Sequence, residues 1–423
     1  MIWKTGGNVP LKEEEWQELL ESWCGKLRPG RRILIIPPDM TRLYSYAGEI
    51  TSWIYRRLSP DHEIALMPAV GTHAAMRRQE LESFFPGIPV ECFLSHDWRE
   101  DTVRIGSVPS NVVEKASCGR YAGEIGIDVN RALLSGEFDE ILSIGQVVPH
   151  EVVGMANYTK NILVGVGGRD MINQSHIISA LCGIESIMGN ADTPVRSIFD
   201  YVQKVYLDRI GITFFLTVTQ EQNGGAGLCG LFIGKERDTF EAACELARKK
   251  NITWLQKRVK KAVAYLDPEE FHTTWVGNKA VYRSRMAIAD GGELLILAPG
   301  VSKFGENEEV DRCIRRYGYC GTKEIRKRYE DGEFLGIEMA AAHLIHGSSD
   351  GRFTITYATD PERMSREEVE RAGYCWADVR PLLSVYRPKE RETGWYTDEG
   401  EEFYFIKAPS IGLWRTAENG KNQ

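Results

Sequence analysis

Organised cysteine is the first thing this sequence lacks. Its nine cysteines are an odd number and none are spaced as a CxxC pair, whereas zinc ribbons and disulfide frameworks need regular spacing. Free thiols in a reducing compartment are the expectation. No apolar run reaches the ~18–20 residues of a membrane span. The segment after Met1, IWKTGGNVPLKEEEWQELL, lacks the apolar core of a secretory signal. A cytoplasmic chain with no membrane partner is therefore expected. Positive charge is also short: 52 Lys and Arg against 60 Asp and Glu leave a formal net charge of -8, without the basic footprint of a nucleic-acid binder. A small anionic substrate remains open to it, because local cations decide that. Internal repeats and low-complexity runs are missing too.

What is present is an alternation of apolar runs and amphipathic segments over 423 residues, which predicts an α/β architecture. RRILIIPPDMTR (31–42), EIALMPAVGTH (63–73) and EILSIGQVVPH (140–150) each read as a buried strand ending in a loop with Asp, Thr, Arg or His. Ligands of parallel α/β sheets collect beyond the carboxyl ends of strands, so these three tips are expected to converge. ITFFLTVTQ (212–220) and GLCGLFIG (227–234) read as a strand pair joined by NGGAG, and 240–266 reads as helix-rich. Two α/β domains are expected, residues 1–266 and a smaller 267–423, with the active site in the cleft between them. In the second, GGELLILAPG (291–300) and GRFTITYATD (351–360) read as strands, with EFLGIEMAAAHLIH helical between them. The polar TAENGKNQ end is expected to fray.

Eight histidines are available, and three sit at strand tips or in polar loops: His73 after Gly-Thr, His150 after Pro, and His176 in NQSH. Any one alone suits a structural hydrogen bond. Three on converging loops suit proton exchange near neutral pH, or metal binding, zinc included. Asp39 and Arg42 lie in a DxTR tetrad, either a helix cap with a local ion pair or a clamp for a phosphate or carboxylate. GVGGRD (165–170) is a Gly-rich turn matching neither the dinucleotide nor the P-loop fingerprint; such turns can present backbone N–H groups to a phosphate. Lys160 becomes interesting as a covalent anchor or a cation beside the histidines.

The ordered set Asp39-Met40-Thr41-Arg42, Gly71-Thr72-His73, Pro149-His150, Lys160 and His176 resembles the lactate racemase family of nickel-pincer nucleotide enzymes. The resemblance implies an isomerase, a 2-hydroxy acid racemase or epimerase working by reversible hydride transfer. Its implied cofactor is pyridinium-3,5-bisthiocarboxylic acid mononucleotide nickel, covalently held by Lys160, with His176 as the nickel's protein ligand. His73 and His150 match the two acid/base histidines, while Arg42 and Asp39 would contact the cofactor or a substrate anion. Cofactor-synthesis proteins would be transient partners.

Two departures stand out. Many relatives carry Ser-Gly-Gly before the anchoring lysine, where this chain has Asn157-Tyr158-Thr159. Lactate-type members carry Tyr-Gln-x-x-Lys early in the second domain, where this chain has Trp275-Val276-Gly277-Asn278-Lys279. WVGNKAVYRSRMAIADGGELLILAPGV with FGEN resembles a sugar-acid branch. Asn278 and Lys279, with Arg283, Arg285 and Lys303, would then contact a polyhydroxylated carboxylate, the D-gluconate/D-mannonate pair first among candidates. Lactate or malate is the alternative substrate; a zinc hydrolase or a non-catalytic cofactor-binding protein is the alternative of another class.

Overall fold

The computed structural model describes residues 1–222 and 225–416. Asn223 and Gly224 of the expected NGGAG turn, and 417–423 of the TAENGKNQ end, lie outside the described residues. The chain forms two compact α/β units, Met1–Cys182 with Ser186–Asn251, and Gly183–Glu185 with Ile252–Gln423. Among the described residues no helix is long and apolar enough to cross a membrane.

The first unit is built on a six-stranded sheet. Its strands are β1 (Ile2–Thr5), β2 (Arg32–Ile36), β3 (Glu63–Leu66), β4 (Glu140–Gln146), β5 (Thr213–Gln222) and β6 (Gly225–Gly234), in the order β1-β6-β5-β4-β2-β3. From β3 to β5 all pairings are parallel; β6 and β1 join antiparallel. Ile33, Leu34, Ile35 and Ile36 are fully buried, because helices cover a parallel sheet on both faces and its strands become continuous apolar runs. Trp16, Leu20 and Cys24 lie one turn apart on α1 (Glu13–Cys24), and Ile50, Ile54 and Leu58 do so on α2 (Ala47–Leu58). Both stripes pack into one core with Ile33, Ile35, Leu142 and Phe215. Each such buried aliphatic stabilises the fold by about 1.5–3 kcal/mol. The unit is completed by α3 (Arg169–Cys182), α4 (Pro194–Val202) and α5 (Arg237–Asn251).

The second unit carries another six-stranded sheet: β7 (Val259–Tyr265), β8 (Ile288–Ala298), β9 (Thr354–Thr359), β10 (Cys375–Asp378), β11 (Gly394–Asp398) and β12 (Glu401–Ile406). The order is β10-β9-β8-β7-β12-β11, parallel except for β11. Here the helical reading of 240–266, and the boundary drawn after 266, are corrected. The helix stops at Asn251, whose buried amide donates to Thr219 O. Residues Ile252–Leu255 then pair with Leu413–Thr416, and β7 becomes an interior strand between β8 and β12. Strands buried on both faces lose the alternation that distinguishes them from helix.

Candidate active site

The carboxyl ends of β2, β3 and β4 share one edge of the sheet, and each of the three tips delivers a functional side chain there. After β2, Asp39 caps a short helical turn: its Oδ1 accepts from Thr41 N (3.1 Å) and Thr41 Oγ1 (2.6 Å). Its other oxygen, Oδ2, lies 2.6 Å from His73 Nδ1. Burial opposes the Asp39 charge, but His73, the Thr41 hydroxyl and Arg42 outweigh it and hold the carboxyl below its ordinary range. A carboxylate on Nδ1 fixes that nitrogen as the N–H donor and leaves Nε2 of His73 with its lone pair. Both oxygens of Asp39, expected to contact a cofactor or substrate anion, are engaged by the loops that carry Thr41 and His73.

His150 is buried in a tight hairpin in which Pro149–His150 pairs with Gly154–Met155. The N–H of Val152 donates to His150 Nδ1 (3.1 Å), which places the ring proton on Nε2. The Glu151 carboxylate stands 3.5 Å from the same Nδ1. The two histidines thus have contrasting partners at Nδ1, a carboxylate at His73 and a backbone N–H at His150.

Lys160 enters a π-helical turn, Asn161–Gly165, a local widening that recurs at functional sites. The turn is tied to the sheet edge: Asn161 Nδ2 donates to Ile36 O (3.1 Å) at the end of β2 and to Ser143 Oγ (3.0 Å) on β4. Gly71 N, in the His73 loop, donates to Gly165 O (2.8 Å). Burial, then Arg42, push the Lys160 amine down to about 8, against the pull of Glu151 and Asp39. On α3, His176 Nδ1 donates to Ile172 O (2.6 Å), so Nε2 keeps its lone pair. Burial pushes His176 to about 4, and Lys160 adds to the shift. Arg42 Nη1 is buried with no hydrogen-bond partner among the described residues.

Asp39, Arg42, His73, His150, Lys160 and His176 are thus linked, by direct bonds or by electrostatic coupling, inside the first unit. Sequence reasoning missed Glu151, which faces His150, Lys160 and His176 together; its signal was adjacency to His150. The GVGGRD glycines are corrected from a phosphate turn to close packing. A Cβ on Gly167 would meet Leu163 O at 2.0 Å, and one on Gly168 would meet Asp128 Cβ at 2.4 Å. No three His, Cys, Asp or Glu side chains converge as a metal cluster among the described residues, so the zinc reading lacks its ligand set.

In the second unit the residues expected to contact substrate sit as follows. Asn278 is fully buried; its Oδ1 accepts from Tyr357 OH (3.0 Å) and its Nδ2 donates to Tyr374 OH (3.0 Å). Arg283 is fully buried and donates to Gly412 O. Arg285 is buried against Glu185 (2.9 Å) and the carbonyls of His346 and Ser348. A buried polar group must be satisfied, and both ends of the Asn278 amide are satisfied by the fold. Lys279 is buried with its ammonium 3.4 Å from Glu270 Oε1, and Lys303 is exposed.

Comparison with known proteins accords with this arrangement. Residues 17–186 match the family model of the lactate racemase N-terminal domain, a span that holds every one of the six coupled residues. Two solved structures share the fold. A Thermotoga maritima protein from a structural-genomics programme is 23% identical, with a TM-score of 0.85 over 98% of this chain and 100% of its own. The lactate racemase apoprotein from Thermoanaerobacterium thermosaccharolyticum is 17% identical, with a TM-score of 0.66 over 96% of this chain and 94% of its own. No curated protein matches the sequence.

Proposed function

We propose that this chain, whose residues 17–186 match the lactate racemase N-terminal domain, is a racemase or epimerase that inverts C2 of a 2-hydroxy acid. The observation that carries the reading is a pair of histidines with contrasting Nδ1 partners, His73 backed by Asp39 and His150 by Val152 N–H, which favour opposite tautomers. Inversion needs a group to take the hydroxyl proton of one stereoisomer and another to return a proton for the opposite one. His73 Nε2 is set to accept, and His150 Nε2–H to donate. To donate that proton and be left neutral, His150 must be the imidazolium, its Nδ1–H released from the Val152 N–H and turned toward Glu151, which is placed at that nitrogen. The reverse direction starts with His73 as the imidazolium and His150 neutral with its lone pair at Nε2.

The residues fit a nickel-pincer nucleotide. An amine pushed to about 8 is a competent nucleophile near neutral pH, so Lys160 would hold the group covalently. His176 offers a neutral imidazole Nε2 suited to nickel, and the unpartnered Arg42 Nη1 suits an anionic oxygen. When bound, the group supplies a hydride acceptor, which spares the enzyme from removing a weakly acidic proton at C2. A single protein imidazole also suits a metal that arrives with its own donors.

Intact-mass spectrometry of protein made with and without the cofactor-synthesis enzymes tests the anchor. The mass increment is expected in wild type and lost in Lys160→Ala, while His176→Ala retains the increment and loses nickel. Gluconate and mannonate are the first substrate pair to assay, with lactate and malate as alternatives. A 2-deuterated substrate is expected to keep most of its label on inversion; wash-out into solvent would show ordinary proton abstraction. A loaded protein that inverts none of these acids would be a carrier of the cofactor.

A further inference from the structure

The loop that delivers Lys160 has a backbone its residues disfavour. Asn157 and Tyr158 have φ of 65° and 58°, the left-handed region that asparagine tolerates and tyrosine rarely adopts. Such conformations persist only where the surroundings over-determine them. Here local bonds contribute, with Tyr158 N donating to Asn157 Oδ1 (2.6 Å) and Ala156 N to Val148 O (2.8 Å), and one side chain and an aromatic stack hold the loop from outside. Arg196, on α4, is fully buried. Its Nη2 donates to Met155 O (2.8 Å) and Asn157 O (3.2 Å), and its Nη1 to Thr159 Oγ1 (2.8 Å). The same guanidinium lies 4.3 Å over the Phe240 ring, and Tyr158 stacks on that ring from its own side (5.3 Å, 15°). Tyr158 also packs on Phe214. These hydrogen bonds go to carbonyls and a hydroxyl, and the neighbouring Asp200 is bonded by Arg237. A buried cation without a bonded carboxylate is a costly way to hold a loop, and Arg196 is pushed down to about 10 by its burial.

We propose that Arg196 is a positioning residue for Lys160: its planar fork locks residues 155–159 in their left-handed path and so fixes where the lysine amine sits. The functional meaning rests on Lys160 as the cofactor anchor, but the positioning itself does not require the cofactor. Charged groups acting on the amine come from several elements: Arg42 and Asp39 after β2, Glu151 beside the hairpin, and Arg196 on α4; Lys160 in turn acts on His176 of α3. Because Arg196 contributes charge as well as geometry, the informative variant keeps the charge.

The test uses full-length protein without cofactor. Acylation of Lys160 by N-hydroxysuccinimidyl acetate is followed across the neutral to alkaline range by peptide mass spectrometry, alongside hydrogen exchange of residues 155–161. Wild type is expected to inflect near about 8. Arg196→Lys keeps the cation and loses the fork. Its inflection is expected to rise toward the ordinary 10.5, and loop exchange to speed up by about tenfold. A folded Arg196→Lys with wild-type inflection and wild-type loop exchange overturns the proposal. If that variant does not fold, Thr159→Val decides, since it removes one bond from the fork: faster loop exchange supports the proposal, and wild-type exchange overturns it. Should Arg196→Lys behave as expected while wild type takes up no cofactor mass, the anchor reading fails and the positioning role stands.

Discussion

Two buried polar clusters occupy the two units, and they are built on opposite principles. In the first unit Lys160 and His176 are pushed toward their neutral forms, and Arg42 Nη1 has no partner among the described residues. In the second, Asn278 receives Tyr357 OH and binds Tyr374 OH, Tyr374 donates to Gly347 O, and Tyr319 OH meets both Thr274 and His343 at 2.9 Å. Trp275 stacks on His343 at 4.2 Å. Burial of polar groups is common to both, so burial does not mark a site. What differs is how the neighbours act: in the first cluster burial and like charge push an amine and an imidazole toward their neutral forms, while the second closes hydroxyl and amide groups on one another and rigidifies its core.

The comparison breaks most visibly at the histidines. With cofactor loaded, His73→Asn or His150→Asn is expected to slow inversion in both directions by ~10²–10⁴-fold while leaving the melting temperature close to wild type. Inversion at the wild-type rate in either single variant would contradict the two-histidine assignment. Next is Asn278→Leu, which strands the Tyr357 hydroxyl and takes a partner from Tyr374. Urea unfolding is expected to show a loss of about 2–4 kcal/mol, from unsatisfied groups at ~1–3 kcal/mol each. An unchanged midpoint would mean the second cluster is not structural.

Lys160→Met should act in the opposite sense and stabilise the unloaded protein by about 1–3 kcal/mol at pH 7, a shift of a few pKa units discounted for partial exposure. An amine whose folded pKa of about 8 lies below its unfolded 10.5 is a penalty complete below the former and gone above the latter. The gain should therefore fade as pH rises through that window. A destabilised Lys160→Met would show that the lysine carries packing instead. The smallest effect is acid sensitivity. His176, at about 4 in the fold against 6.5 unfolded, lets stability fall as pH drops between those values, and His176→Gln should flatten that slope. Asp39, held below its ordinary 3.8, gives up its contribution only at still lower pH. The second cluster's Tyr319, Tyr357 and Tyr374 are pushed upward by burial, so these hydroxyls keep their protons throughout the acid range.

The site was legible wherever chemistry and local order coincide. Three apolar runs with polar tips became β2, β3 and β4, and parallel pairing brought their ends to one edge. Lys160 and His176 followed from the order of the motifs. The illegible parts depend on partners distant in the chain. Residues 252–255 are a strand because 413–416 lie beside them, and nothing local says so. Asn278 looked available because a sequence does not show that Tyr357 and Tyr374 will close over it. Arg196 gave no signal at all: its role exists only once Asn157 and Tyr158 are seen in the left-handed region.

The edge strand β1 carries a consequence for biosynthesis. Ile2 pairs with Ile233 and Thr5 with Gly230, so the strand made early must wait for one made more than two hundred residues later. At translation speeds of ~5–20 residues per second that interval is roughly ten to forty seconds. Until Thr213–Gly234 has left the ribosome, β4 has an open flank and Ile2–Thr5 has no seat. A nascent chain therefore shows chaperones an unpaired parallel sheet edge through much of its synthesis. Synonymous codons that slow translation between the completion of β4 and the emergence of residue 234 from the ribosome are expected to lengthen that exposure.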